Sequence, residues 1–416
     1  MYEELSKLQW RPTEELLDRQ YHGLRAILEF AYENVPLYRR RMKACNIRPG
    51  DFRSLDDLSR LPIVSKDEIR TGFPNDVVSS GWDFRSGIAS FTSGSTQTPF
   101  YVYLDPSIRG ITLATRMFFD SWVGVTLVDR HLEIGRRFPK IRDRIFLNEL
   151  QIPALDTSSE TLEEVFERIR AFHPAALSGH PSSLVMIAIH ILENFLEGTI
   201  RPKAICPWGE TLLPQYRATL EKAFQSPVLA RYGAAETGGY LAQECPDGCS
   251  GYHVNTELGV LEVVDANGSP VLPGERGRVI VTNLRNRLMP FIRYDIGDLA
   301  VQGDIPKCGR GLPLVKSIEG RAADLVETRT GSMRPVISFY IPPRFWRSVW
   351  RYQFVQNRPG HLKVLVVPSS EFNAEIRDEI LTSFQAMASD VEFEISVVSE
   401  IIAEKSGKTP LLIRRN

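Results

Sequence analysis

The sequence predicts an α/β fold. A large N-terminal domain would hold mixed and parallel sheets with covering helices and a small antiparallel region, and a small α+β domain would follow it. Three observations carry this reading. Between residues 159 and 232, helical and strand-like apolar segments alternate, as in a parallel sheet with helices packed on it. After Glu236 the pattern changes to β-prone runs at 258–265 and 278–284 joined through a turn at Ala266, Asn267 and Gly268, which reads as antiparallel. Beyond Glu319-Gly320-Arg321-Ala322-Ala323-Asp324 the chain has its own strand, helix and strand pattern over 352–398. With 416 residues the chain is long enough for two domains, placed at 1–320 and 321–416.

Taken in order, Thr13 is the expected cap of a helix with Glu14 and Glu15 in its first turn, where carboxylates favour the helix dipole. Leu17, Tyr21, Leu24, Leu28 and Tyr32 then repeat at helical spacing, and Pro36 is expected to end the run. Residues 61–66 lead into a short helix. Two β-prone runs within 88–104 flank Thr92, Ser93, Gly94, Ser95, Thr96 and Thr98. Such a loop offers inward N–H groups and hydroxyls to a phosphate, and the same residues also suit an ordinary hairpin turn. It lacks the glycine–lysine–helix arrangement of a Walker loop.

The alternating stretch opens with a helix carrying Leu162, Val165, Phe166 and Ile169, followed by a strand at 175–177. Ser182 is the expected cap of a helix running to Leu196. A strand at 203–206, a helix after Pro214 and a strand at 228–231 complete it. Three loops then fall at carboxyl ends of parallel strands, where open α/β sheets bind ligands: Ser178-Gly179-His180-Pro181, Pro207-Trp208-Gly209-Glu210 and Tyr232-Gly233-Ala234-Ala235-Glu236.

Arg293, Asp295 and Asp298 put one cation and two carboxylates within six residues, with Gly297 allowing a turn beside Asp298. A carboxylate at such a turn suits the vicinal hydroxyls of a ribose; a salt-bridged strand end is the alternative. Cys245, Cys249 and His253 lie at short spacing, and Cys308 could supply a fourth ligand through the fold. That set suits tetrahedral Zn²⁺ in a closed structural site, against the alternative of free thiols beside an ordinary histidine. Lys405 and Lys408 read by composition as a solvated C-terminal loop.

Lys plus Arg total 50 against 51 for Asp plus Glu, which removes the charge excess expected of a nucleic-acid or anionic-membrane partner. The longest apolar run, 184–192, contains His190 and is too short to span a bilayer. The start, Met1-Tyr2-Glu3-Glu4, is acidic where a signal peptide would be basic. Five cysteines in such a chain do not form a disulfide scaffold, so a cytoplasmic protein is expected, monomer or homodimer.

Taken together, these motifs resemble those of the adenylate-forming superfamily of acyl-CoA synthetases and adenylation domains, in its phenylacetate–CoA ligase-like, capsule-biosynthesis branch. The resemblance runs along nearly the whole chain in the same order. It implies that Thr92, Ser93, Gly94, Ser95 and Thr96 form the phosphate loop, and that Trp208, Gly209 and Glu210 form the adenine loop. Tyr232, Gly233 and Ala234 bind the nucleotide and lead to Glu236, a catalytic residue and the magnesium ligand; Asp298 binds ribose; Gly320 and Arg321 open the hinge, with Arg321 also binding the nucleotide; Lys408 is the catalytic lysine. His180, Trp208 and Ala235 would line the acid pocket, with Phe118, Phe119 and Trp122 either joining them or packing as core. The Cys/His cluster resembles a metal site of this branch. Gln97, Ala235 and Ala323 depart from the family pattern.

The implied activity is activation of an aryl or arylacetic acid to acyl-AMP using ATP and Mg²⁺, with release of pyrophosphate. Transfer to coenzyme A would follow, with 321–416 moving as a lid. The alternatives are a synthetase whose acceptor is an amine, a hydroxyl or a carrier-protein thiol, and a non-catalytic nucleotide-binding relative.

Overall fold

The computed structural model describes residues 1–92, 100–134, 142–144, 148–153, 159–321, 324–402 and 409–414. It resolves into two compact units, each assembled from two stretches of chain: Met1–Thr126 with Arg231–Glu319, and Leu127–Ala230 with Gly320–Asn416. No helix among the described residues is long and apolar enough to cross a membrane.

The first unit is built on a seven-stranded sheet. Its strands, in spatial order, are Gly259–Val264, Arg276–Asn283, Tyr294–Gln302, Leu314–Arg321, Tyr252–Val254, Gly239–Glu244 and Arg231–Ala234. Among the described pairings of this sheet, all that can be read are antiparallel. Helix Thr13–Asn34 buries Leu24, Ile27, Leu28 and Ala31 in one core with Val260, Val279, Val281 and Tyr294 from the sheet. Burying each such aliphatic side chain contributes roughly 1.5–3 kcal/mol.

This helix differs from the sequence reading in register. Leu16, Gln20, Leu24, Ile27 and Leu28 are its buried face, while Leu17, Tyr21 and Tyr32 are only half-buried. Gln20 belongs to that face because its amide donates to the Gly259 carbonyl at 2.7 Å, so a polar residue replaces an apolar one in the stripe. Thr13 is the first helical residue and not the cap, which is Pro12. Pro36 stands after the helix end and opens the next one, Pro36–Ala44, where its missing N–H costs nothing.

The strands flanking the phosphate-loop candidate form a two-stranded hairpin, Ile88–Thr92 with Phe100–Leu104. The loop residues Ser93, Gly94, Ser95, Thr96, Gln97 and Thr98 lie outside the described residues, as do Ala323, Lys405 and Lys408.

The second unit contains the expected parallel sheet, in the order Arg142–Arg144, Glu149–Ile152, His131–Ile134, Ala176–Gly179, Ala204–Pro207. The first strand pairs antiparallel and the others parallel. Helices Ser159–Phe172, Pro181–Glu193 and Pro214–Phe224 share its core. The second and third open on proline, and the middle helix takes His180 at its cap position in place of the expected Ser182.

The expected third strand of the alternating stretch, at 228–231, is replaced by a single bridge, Ile205 to Val228. The chain then enters the antiparallel sheet as Arg231–Ala234. That sheet is therefore larger than a small appendage.

Within the same unit, residues 320–416 supply a four-stranded sheet ordered Glu392–Val397, His361–Pro368, Val349–Arg358, Leu412–Arg414, with helix Ala374–Met387 packed on it. Asn373 caps that helix by accepting from the Ile376 N–H at 3.0 Å. Residues 320–416 belong to one compact unit with 127–230, and Gly320, the expected hinge residue, is the first of that segment. Gly320 has φ +87° and a Cβ there would lie 2.6 Å from Thr211 Oγ1, so only glycine fits.

Candidate active site and metal centre

In the first unit two motifs brace each other across the sheet. Tyr232 and Glu236 are four residues apart, as are Tyr294 and Asp298. The Tyr232 hydroxyl donates to Asp298 Oδ2 at 2.7 Å, and the Tyr294 hydroxyl donates to Glu236 Oε1 at 3.2 Å. Both carboxylates are buried.

The turn that presents Glu236 is fixed by Thr237, whose hydroxyl accepts from the Ala234 N–H and donates to the Ala234 and Gly239 carbonyls. Asn283 Nδ2 holds the Glu236 carbonyl at 2.9 Å. Gly233 passes so close to the neighbouring strand that a Cβ would sit 2.4 Å from the Gly239 carbonyl oxygen. Ala235 follows in the same turn, half-buried against the core.

The stretch around Asp298 divides its labour. Arg293 is buried with φ +50°, and its guanidinium donates to the Ser59, Leu61 and Gly268 carbonyls while pairing with Glu262. Burial pushes the Glu262 carboxyl up, and the Arg293 charge opposes this. Asp295 pairs with Arg278 at 2.8 Å. Arg293 and Asp295 thus hold the strand, and Asp298 is the member of this stretch bonded to the tyrosine of the other motif.

In the second unit, the Trp208 backbone N–H donates to the Gly179 carbonyl at 2.9 Å, and its indole meets the buried His180 ring edge-on at 5.0 Å between centroids. Gly209 follows at φ +82°. Glu210 Oε2 accepts from the Ser182 N–H and Oε1 from the Ser182 hydroxyl, each at 3.0 Å. A carboxylate 28 residues away therefore satisfies the first turn of helix Pro181–Glu193. Arg321 ends the strand Leu314–Arg321, where its carbonyl accepts from the Asp324 N–H.

Phe118 and Phe119 are fully buried in a small core with Leu5, Leu16 and Leu312, and Trp122 packs on it. The structure thus makes these three aromatics core.

The ligand atoms of Cys245, Cys249, His253 and Cys308 all lie within 4.8 Å of one another. His253 Nδ1 faces the Leu312 carbonyl at 3.0 Å, which sets the tautomer and turns Nε2 toward Cys308 Sγ at 3.3 Å. Burial, with the charge of Arg310, lowers the His253 pKa and keeps the imidazole neutral, the ligand form. Burial pushes the Cys245 thiol up to about 11. Burial also acts upward on Cys308, but bonds from the Arg310 backbone, Cys249, Cys245 and the Arg310 side chain leave it lowered. The donor set, three thiols and one imidazole on converging loops, fits Zn²⁺.

Sequence reasoning missed Arg310. It is buried between the rings of Trp10 and Trp122, at 4.7 and 4.4 Å from their centroids. It pairs with Asp247 at 2.5 Å and lies 3.9 Å from Cys308 Sγ and 4.0 Å from Cys245 Sγ. A guanidinium there offsets the negative charge of a three-thiolate centre. Tyr294, Asn283 and Thr237 were likewise missed, since their roles depend on partners far off in sequence.

Comparison with known proteins bears on the fold. The fold is that of an adenylate-forming ligase: 2-hydroxyisobutyryl-CoA ligase, solved in its postadenylation state with an acyl-AMP, superposes with a TM-score of 0.81 at 21% identity, covering 98% of this chain and 91% of that one. In sequence the chain is similar to phenylacetate–coenzyme A ligases and to CapK. It is 25% identical to Protein CapK of Staphylococcus aureus over 98% of this chain and 90% of CapK. It is 26% identical to phenylacetate-coenzyme A ligase of Escherichia coli (strain K12) over 91% of this chain and 86% of that enzyme. Residues 336–415 match the CapK C-terminal domain family.

Proposed function

We propose that the chain activates a carboxylic acid of the aryl or arylacetic class with ATP and passes the acyl group to coenzyme A. One carboxylate oxygen attacks the α-phosphorus, the bond to the bridging oxygen breaks, and pyrophosphate leaves. The thiol of coenzyme A then loses its proton, its sulfur attacks the acyl carbon, and AMP departs with the former carboxylate oxygen.

The observation that carries this reading is the cross-bracing of Tyr232 to Asp298 and Tyr294 to Glu236, over sequence separations of 66 and 58 residues. It braces two buried carboxylates, which supports one serving a ribose and the other a metal. Asp298 accepts from the ribose hydroxyls, and the loop Trp208, Gly209 and Glu210 takes the adenine. Glu236 offers the hard oxygen donor that suits Mg²⁺. When bound, that ion neutralises charge on the phosphates. His180 and Ala235 border the acid. Lys408 brings positive charge to the α-phosphate, carried by residues 321–416 turning at Gly320. Cys245, Cys249, His253 and Cys308 hold a structural Zn²⁺.

A second reading keeps the first half-reaction and changes the acceptor to an amine, a hydroxyl or a carrier-protein thiol. The observation that keeps it is the match of residues 336–415 to the CapK C-terminal domain.

Pyrophosphate release measured over a panel of carboxylic acids, with and without coenzyme A, tests both. At least one aryl or arylacetic acid should release pyrophosphate, with thioester formed only when coenzyme A is present. Pyrophosphate and acyl-AMP without thioester would favour the second reading. Release with no acid in the panel would overturn both.

A further inference from the structure

Residues 308–312 serve two structures at once. Cys308 belongs to the Cys/His cluster, and the Leu312 carbonyl faces His253 Nδ1 at 3.0 Å. Between them the same loop grips the start of the chain. Arg310 Nε donates to Gln9 Oε1 at 2.9 Å, and the Gly311 N–H donates to the Gln9 carbonyl at 2.8 Å. The Arg310 guanidinium lies over the Trp10 ring, and a Cβ on Gly311 would run into the Arg11 carbonyl oxygen, so residues 9–11 rest directly on 309–311. Leu312 shares a core with Leu5 and Leu16. Helix Tyr2–Leu8 has seven residues, too few to persist alone in water. Its buried residue is Leu5, and one leucine does not offset the ordering of a seven-residue segment. Its docking therefore leans on the loop 308–312.

The cluster in turn shapes that loop. Cys249 Sγ accepts the Lys307 N–H at 3.1 Å and Cys245 Sγ accepts the Asp247 N–H at 3.4 Å, bonds that strengthen when the sulfur is a thiolate. Three thiolates exceed the two charges of Zn²⁺ by one, and the buried Arg310 neutralises that excess. We propose that the metal centre secures the start of the chain: with the centre loaded, Arg310 and Gly311 dock residues 2–11, and emptying the centre releases them. This rests on the zinc reading given above. By linkage the coupling runs both ways, so loosening residues 9–11 weakens zinc affinity by the factor by which zinc favours docking.

The test uses the full chain purified without chelator. The Gln9 and Arg11 amides donate to the Leu5 and Leu8 carbonyls at 3.1 and 2.8 Å, so their hydrogen exchange reports whether the segment is docked. Removing zinc with a chelator should speed exchange about tenfold at both amides, and adding zinc back should restore it. Helix Ala374–Met387, in the other unit, should keep its protection. Unchanged exchange at Gln9 and Arg11 after the zinc is gone would overturn the proposal. If the stripped protein unfolds throughout, Trp10→Ala decides, since Trp10 is 54% exposed and its truncation leaves the core intact. Titrated against a chromogenic chelator, W10A should hold zinc about tenfold more weakly than wild type. Wild-type zinc affinity in W10A would overturn the proposal. Arg310→Met removes the charge and the Gln9 bond together, and should both free the Gln9 amide and weaken zinc binding; a change in only one of the two would break the coupling and overturn it. Elemental analysis separates the two levels. Wild-type protein without zinc removes the zinc reading and the docking role with it. Stoichiometric zinc whose removal leaves residues 9–11 protected keeps the zinc reading and overturns the docking role alone.

Discussion

The strand Gly239–Glu244 has a different chemistry at each end. Just before it stands Glu236, an oxygen donor braced by the Tyr294 hydroxyl; directly after it stands Cys245, the first of three thiols gathered around His253. Six residues of strand separate them, about 20 Å. The first cluster offers hard ligands in the company of Asp298, which suits a dissociable magnesium and a nucleotide. The second offers four soft or borderline ligands, a closed set with no open position, which suits a zinc that stays. One end of the strand thus carries the residues proposed for chemistry and the other those proposed to hold loops together. Metal hardness, read from side chains alone, assigns them opposite duties.

The largest effect that would sharpen this contrast is on rate. Glu236→Gln keeps shape and loses charge, so acyl-AMP formation should fall about 10²–10³-fold, as when one preorganised electrostatic group is removed. Thermal stability should be nearly unchanged. A variant with wild-type dependence on Mg²⁺ concentration would remove Glu236 from the metal.

The opposite signature is expected at the other end. Cys308→Ser, or stripping zinc with a chelator, should lower the melting temperature by roughly 5–10 °C, the equivalent of a few kcal/mol in a domain of this size. Acyl-AMP formation below that temperature should stay within a few-fold of wild type. Stoichiometric zinc should be found by elemental analysis of protein purified without chelator. Its absence would reduce the cluster to free thiols and erase the contrast.

Asp298→Ala should weaken ATP binding by ~1.5–3 kcal/mol, the value of a hydrogen bond to a charged acceptor. Calorimetry giving unchanged affinity would take Asp298 out of the nucleotide site. The smallest effect belongs to the brace. Tyr232→Phe removes one hydroxyl from Asp298 and should cost about 0.5–1.5 kcal/mol of ATP affinity. A larger loss from Tyr232→Phe than from Asp298→Ala would mean that the tyrosine, and not the carboxylate, meets the ligand.

What the sequence made legible was local. The turn bearing Glu236, the strand bearing Asp298 and the Cys/His spacing are each written within a few adjacent residues. What it hid was partnership. Nothing adjacent to Arg310 marks it as the guanidinium beside Cys245 and Cys308, because Trp10, Trp122 and Asp247 reach it through the fold. Arg293 and Asp298 read alike as polar residues of one turn, yet the first is locked among the Ser59, Leu61 and Gly268 carbonyls and Glu262.

The segment 228–231 reads as a strand of the parallel sheet for a related reason, whereas the observed strand is Arg231–Ala234 of the antiparallel sheet. Val228, Leu229 and Ala230 carry a β-prone pattern that continues into Arg231, while the pairing partner changes from Ile205 to the strand Gly239–Glu244. Residue pattern reports that a segment is extended; it does not report which neighbour it pairs with.

The central claim is that a carboxylate oxygen attacks the α-phosphorus of ATP. It is tested most directly by giving the enzyme ¹⁸O-labelled phenylacetate, or another acid that releases pyrophosphate, together with ATP, Mg²⁺ and coenzyme A. Mass spectrometry of the products then locates the label. Adenylate formation requires one ¹⁸O atom in AMP and none in pyrophosphate. Label in inorganic phosphate, or unlabelled AMP beside labelled thioester, would contradict the account.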